Sequence, residues 1–215
     1  MKLVLHNYWR SSASQRVRIG LGLKSLPFEY AVINIVKADQ FAEAYRAKNS
    51  MSQVPTLEIT EDDGTVRAIN QSLPILEYLN ERFPEPAILP ADPYLRARCR
   101  GLAEIVNSGI QPLQNLTTTN QIKSIGGDAV VWPKKFIADG LAAFERAAED
   151  VAGAFSVGDH PTIADCCLIP QLLSARRFAV DVAPFTRLLA IEERCLALPA
   201  FANAAPDRQP DAVKQ

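Results

Sequence analysis

The run Ser11-Ser12-Ala13-Ser14 places three hydroxyls where an apolar strand, Leu3-Val4-Leu5, hands over to a helical run. A helix start offers unpaired backbone N–H groups and the positive end of the helix dipole, so it favours negative charge. A serine hydroxyl there can donate one further hydrogen bond, to an oxyanion or a thiolate. Ser12 or Ser14 would also serve as an ordinary helix cap, and the run by itself leaves both readings open. Metal chemistry finds no comparable support. Cys99, Cys166, Cys167 and Cys195 show no C-x-x-C spacing, and His6 and His160 are the only histidines, so no zinc set can be assembled. Cys166 and Cys167 lie in an apolar helical run and read as buried, unreactive thiols of a reducing compartment.

The elements that must position the serine run alternate at first. Residues 3–5 and 28–35 read as strands, 14–24 as a helix and 39–48 as a short amphipathic helix. Then the order changes. Residues 55–59 and 66–69 flank the acidic turn Glu61-Asp62-Asp63-Gly64 and read as a β-hairpin, and 72–82 reads as a third helix. The sum is βαβ followed by ββα over residues 1–83. Residues 84–93 carry four prolines and read as a linker. Beyond it only helical periodicity recurs, over 94–117, 129–151, 163–178 and 185–198, which predicts an all-α domain over 94–215. Thr162 and Asp165 have capping-box spacing at the start of the third of these runs.

The formal charge is −1, with neither a basic stripe nor an acidic tail, which argues against nucleic acid and anionic membranes as partners. Residues 1–7 show no apolar signal core, and no run of about eighteen apolar residues occurs, so the expected setting is cytoplasmic.

Five ordered blocks carry a resemblance: Ser-Ser-x-x-x-Arg-Val-Arg-Ile at 11–19, Gln53-Val54-Pro55-Thr56-Leu57, Gln71-Ser72-Leu73-x-Ile75-x-Glu77-Tyr78-Leu79, Gly109-Ile110-Gln111-Pro112-Leu113-Gln114-Asn115-Leu116, and Arg208-Gln209-Pro210-Asp211. With the βαβ–ββα half and the all-helical half, they resemble the cytosolic glutathione transferases, most closely the zeta class. The resemblance implies an α/β thioredoxin-like glutathione-binding domain followed by an all-α substrate-binding domain, in a homodimer. The activity it implies is glutathione-dependent cis–trans isomerisation of a maleyl keto acid, maleylacetoacetate to fumarylacetoacetate, in aromatic amino-acid catabolism. Thiolate addition, rotation and elimination would carry the reaction. Alternatives are isomerisation of maleylpyruvate in gentisate breakdown, a broader glutathione transferase or α-halo acid dehalogenase, and a scaffold without catalysis.

Carried over residue by residue, the resemblance gives Ser11 and Ser12 the glutathione sulfur, Ser11 first, with Tyr8 a competing donor that reads better as a wall or core aromatic. Gln71 and Ser72 match the contacts to the γ-glutamyl end, Val54 and Pro55 the backbone contacts to the cysteinyl unit through a cis bond. Gln40, Gln111, Asn115 and Thr117 match further glutathione contacts. Arg10 and Arg177 match positions near a dicarboxylate substrate, and Arg176 is added as a neighbouring cation. A guanidinium stays charged and presents a planar fork to a carboxylate. Arg16 and Arg18 read as structural, through carboxylate pairing. Pro112 should kink its helix. The zeta class usually has cysteine where this chain has Ala13, which disfavours reductive dehalogenation through a protein–glutathione mixed disulfide.

Overall fold

The computed structural model describes residues 1–213 and divides into two compact units, Met1–Ala87 with the segment from Leu198 onward, and Ile88–Ala197. The C-terminal segment therefore groups with the N-terminal unit, whereas the sequence assigned it to the helical half.

In the first unit, strands β1 (Lys2–Asn7), β2 (Glu29–Val32), β3 (Thr56–Thr60) and β4 (Val66–Asn70) form one sheet in the order β2-β1-β3-β4. β1 runs parallel to β2 and antiparallel to β3, and β4 is antiparallel to β3. Alternation sends Leu3, Leu5, Leu57 and Ile59 to one face, where they meet Val17 and Leu21 of α1 (Ser12–Leu23) and Ile75 and Leu79 of α3 (Ser72–Arg82). Spacing of four residues puts each helical pair on one stripe. α1 and α3 approach so closely that a Cβ on Gly20 would lie 2.2 Å from Leu76 Cδ2. The hairpin turn closes through Glu61 N–H to Thr65 O at 2.9 Å, with Gly64 at φ 83°, a conformation glycine adopts without strain.

The expected helix over 39–48 is instead a 3₁₀ turn, Asp39–Phe41, and a single helical turn α2 (Glu43–Arg46), because Ala38 is left-handed and Ala42 extended between them. From this turn Tyr45 and Lys48 reach the second face of the sheet. Lys48 hydrogen-bonds Glu58, which also faces His6 at 3.4 Å. The lysine holds the Glu58 carboxyl below the usual glutamate range. Its stabilisation is thus complete above that range and fades as pH falls through the lowered value in the folded protein. In chemical denaturation across pH, Lys48→Met is expected to cost about 0.5–1 kcal/mol near neutrality for this part-exposed pair, with the gap closing in acid. A gap that does not vary with pH would refute the assignment.

In the second unit, α4 (Pro93–Glu104) begins under an Asp92 cap and packs on α8 (Ile163–Arg177), which is buried over most of its length. The single helix expected over 94–117 is broken. α4 passes into a π-helical segment, Ile105–Ile110, and α5 (Gln111–Gln114) restarts with Pro112 in its first turn, where a missing N–H costs nothing. Extended Asn115 then stops α5 and caps α6 (Leu116–Ser124), accepting from Thr118 N–H at 3.0 Å. α7 (Val131–Ala147) and α9 (Thr186–Leu196) complete this unit, and α10 (Pro199–Asn203) packs on α1 in the first. Among the described residues no helix is long and apolar enough to cross a membrane.

Candidate functional site

Sheet register gathers the first group of expected site residues. His6 pairs with Thr56 and Thr56 with Asn70, while Asn7 pairs with Val32. One end of the sheet thus issues the turn leading to Ser11 and Ser12, receives the loop carrying Val54 and Pro55, and releases the chain into Gln71 and Ser72. The segment bearing Gln40 leaves β2 at the same end. Residues scattered over sixty positions therefore converge because strand polarity points them one way.

Ser11 is the N-cap of α1, and its Oγ accepts from Ser14 N–H at 3.2 Å. The cap is therefore Ser11, not Ser12 or Ser14 as expected, and capping uses a lone pair that leaves the Ser11 hydroxyl proton available. Ser12 and Ala13 occupy the first turn, whose N–H groups have no intrahelical acceptor. Arg10, beside them, is exposed, with its guanidinium 5.8 Å from the centre of the Trp9 ring. Tyr8 is a buried core residue.

At the start of α3, Gln71 holds φ 71° and ψ 131°, a positive-φ conformation that a residue with a Cβ adopts only at a cost. Its side-chain amide faces Gln53 Oε1 at 3.4 Å. Ser72 is buried, and its Oγ accepts from Arg16 Nη1 at 3.1 Å. The Val54–Pro55 bond is cis. The loop before it is held by groups that sequence reasoning passed over. Tyr45 OH donates to Gln53 O at 2.5 Å, Asn49 Nδ2 donates to the same carbonyl at 2.8 Å, and Thr56 Oγ1 donates to Asn70 Oδ1 at 2.7 Å. Gln40 keeps a buried Oε1 that lacks a hydrogen-bond partner.

In the helical unit, Gln111 donates from Nε2 to Gln171 Oε1 at 2.6 Å, and Gln171 donates to Gln114 Oε1 at 2.9 Å. Gln114 and Arg177 both donate to Ser174 Oγ, at 3.2 and 3.0 Å. A chain of amides thus joins Gln111 to Arg177. Gln171 and Ser174 were missed, although a glutamine inside the apolar run 166–173 is a legible signal of a buried polar network. Asn115 gives its oxygen to the α6 cap, and Thr117 is exposed on the same helix. Arg176 is ion-paired. Its fork meets buried Glu192, both nitrogens at 2.5 Å from the carboxylate oxygens, which gives it a structural partner. Arg18 corrects the carboxylate-pairing expectation for itself: its guanidinium donates to Asn7 Oδ1 and to the carbonyls of Tyr8, Trp9 and Ala204. The four cysteines are free and buried, and burial pushes the Cys99 thiol up to about 11, far from a reactive thiolate.

Known proteins resemble this chain over its full length. Residues 5–87 match the family model for the glutathione S-transferase N-terminal domain. Maleylacetoacetate isomerase of Rattus norvegicus is 44% identical, covering 98% of this chain and 95% of that protein. Maleylpyruvate isomerase of a Ralstonia species is 40% identical over 97% and 99% of the two chains. The crystal structure of maleylacetoacetate isomerase from Anaeromyxobacter dehalogenans, with glutathione bound in its active site, superposes with a TM-score of 0.91 at 51% identity, covering 99% and 98%. A further structure of that enzyme holds dicarboxyethyl glutathione and citrate. Identity at this level over the full length leaves one assignment: the chain belongs to the zeta class of the glutathione S-transferases, the family of the maleylacetoacetate isomerases.

Proposed function

We propose that this protein is a glutathione-dependent cis–trans isomerase that converts maleylacetoacetate to fumarylacetoacetate. The observation that carries the reading is the Ser11 hydroxyl, fixed as the α1 cap through its oxygen while its proton stays free to donate. The residues fit glutathione on further grounds. Gln40 has an orphaned buried acceptor, Gln71 is held in a strained conformation at a helix start, and Ser72, which accepts from Arg16, keeps its own proton.

When bound, glutathione supplies the nucleophilic sulfur for reversible addition to the cis double bond. A free thiol of pKa about 8.5 is mostly protonated at neutral pH. Ser11, with Ser12 as a second donor, stabilises the ionised sulfur, and the first-turn N–H groups of α1 favour the same charge. Gln71 and Ser72 hold the γ-glutamyl end at the start of α3, and Val54 and Pro55 present backbone to the cysteinyl unit. Gln40, Gln111, Asn115 and Thr117 complete the glutathione contacts. Arg10 and Arg177 bind the carboxylates of the substrate and offset the negative charge that develops on its carbonyl oxygen. The reading includes a homodimer of cytoplasmic subunits, which light scattering, for the mass in solution, and cell fractionation would test.

The decisive assay is isomerisation of maleylacetone, a stable analogue, beside maleylpyruvate, with and without glutathione. Turnover that requires glutathione and favours maleylacetone is the expected result. A preference for maleylpyruvate, as the name of the Ralstonia relative suggests, would move the substrate while keeping the mechanism. No turnover on either compound would sink the isomerase reading.

A further inference from the structure

The block Arg208-Gln209-Pro210-Asp211 lies far along the chain from the serines, yet it is tied to the turn that delivers them. Asp211 Oδ2 accepts from the backbone N–H of Trp9 at 3.1 Å, and Oδ1 accepts from Tyr30 OH at 2.5 Å. The turn from Tyr8 to Ser11 closes on itself through Ser11 N–H to Tyr8 O at 3.0 Å. Arg18 donates to Tyr8 O at 3.4 Å and to Trp9 O at 3.0 Å. Arg18 stands on α1 and so shifts with the helix that Ser11 caps, whereas Asp211 is referenced to β2 through Tyr30. Its segment has its own anchors: Gln209 Nε2 donates to the carbonyls of Asn203 and Ala205 at 2.8 and 2.7 Å, and Arg18 Nη2 donates to Ala204 O at 3.1 Å.

We propose that Asp211 is a positioning residue for the serine turn, its carboxylate locking Trp9 to the sheet so that the Ser11 hydroxyl is held where it donates. The inference rests on the glutathione reading for its chemical consequence, and on hydrogen bonds of the first unit for its geometry. Charge supports it. Arg18 is 3% exposed, burial lowers its pKa to about 10, and Asp211 and Tyr30 oppose that shift. The Tyr30 phenol is pushed up by burial and by its bond to Asp211, so it stays a donor at neutral pH. Carboxylate and guanidinium therefore grip the Tyr8–Trp9 backbone, one from the N–H side and one from the carbonyl side.

The test compares Asp211→Ala and Asp211→Asn with the wild-type protein by two readouts. The first is hydrogen–deuterium exchange. Asp211→Ala is expected to speed exchange of the Trp9–Ala13 amides about tenfold while β3 keeps its protection, the loss of one charge-assisted hydrogen bond. The second is spectroscopic titration of the glutathione thiol in the complex, with kcat and KM. The thiol pKa is expected to rise by about one unit and kcat at neutral pH to fall about tenfold, with KM for glutathione within about twofold. Asp211→Asn keeps one acceptor for Trp9 and is expected to recover part of each change. Unaltered exchange in the turn overturns the clamp. Faster exchange with an unaltered thiol titration reduces Asp211 to a fold tether and overturns its positioning role. A wild-type protein that leaves the thiol at its free pKa would instead sink the glutathione reading, and the exchange result would still decide the clamp.

Discussion

Ser11→Ala is expected to lower kcat for glutathione-dependent isomerisation about hundredfold at neutral pH, the scale seen when one donor to a developing or ionised charge is removed. The same substitution deletes the α1 cap, which costs about 1 kcal/mol of stability, so a loss of activity by itself could be blamed on a frayed helix. Ser11→Asp separates the two roles. Aspartate caps as well as serine but, once ionised, only accepts hydrogen bonds and places a negative charge beside the sulfur. It is expected to hold the melting temperature near that of the wild type while losing at least as much turnover as alanine. Activity that tracks stability across the three proteins would make Ser11 a cap and nothing more. Ser12→Ala, which removes a hydroxyl that does not cap α1, is expected to cost less than Ser11→Ala.

Asp165→Ala should produce the largest loss of stability and leave the chemistry of the surviving protein alone. Asp165 is fully buried at the start of α8, where its carboxylate accepts from Ser156 N–H at 2.8 Å, Thr162 N–H at 2.7 Å and the Thr162 hydroxyl at 2.9 Å. Burial raises its pKa and those hydrogen bonds oppose the rise. Truncation strands two backbone donors in the interior, each worth about 1–3 kcal/mol, and we expect a total near 4 kcal/mol. For a chain of this size that is a fall in melting temperature of about 10 °C. Asp165→Asn should fall between, because one of its amide atoms must face a donor. A calorimetric loss below about 1 kcal/mol for the alanine variant would refute the account. So would a changed thiol titration in the folded fraction, since Ser11 and Ser12, the proposed donors to the sulfur, lie in the other unit.

Much of the candidate site was legible because its parts are helix starts, and helix starts have local grammar. Ser11-Ser12 and Gln71-Ser72 stand at α1 and α3 as read. The boundaries that failed did so where a local backbone feature interrupted an otherwise regular period. A helical period ran unbroken through 94–117, yet Pro112 forbade a straight helix and the chain inserted a π-helical segment upstream of it. Arg176 and Arg177 are neighbours of one type, and nothing local says that buried Glu192, sixteen residues on, takes the first. The supports were illegible for the same reason. Tyr45, Asn49 and Asn70 act through partners on other elements.

What the sequence determined by itself is therefore whatever depends on neighbours: the strand and helix order of the first half, the hairpin turn, the Thr162–Asp165 capping box and, through five spaced motifs, the family. What only the tertiary structure decided is which side chains meet. Antiparallel register brought Val54, Gln71 and Ser11 to one sheet end, Asp211 returned across some two hundred residues to grip Trp9, and the C-terminal segment joined the first unit. The physical reason is that a period of two or 3.6 residues encodes a face but not its partner. Partners follow from the packing of faces and the satisfaction of buried polar groups over the whole chain.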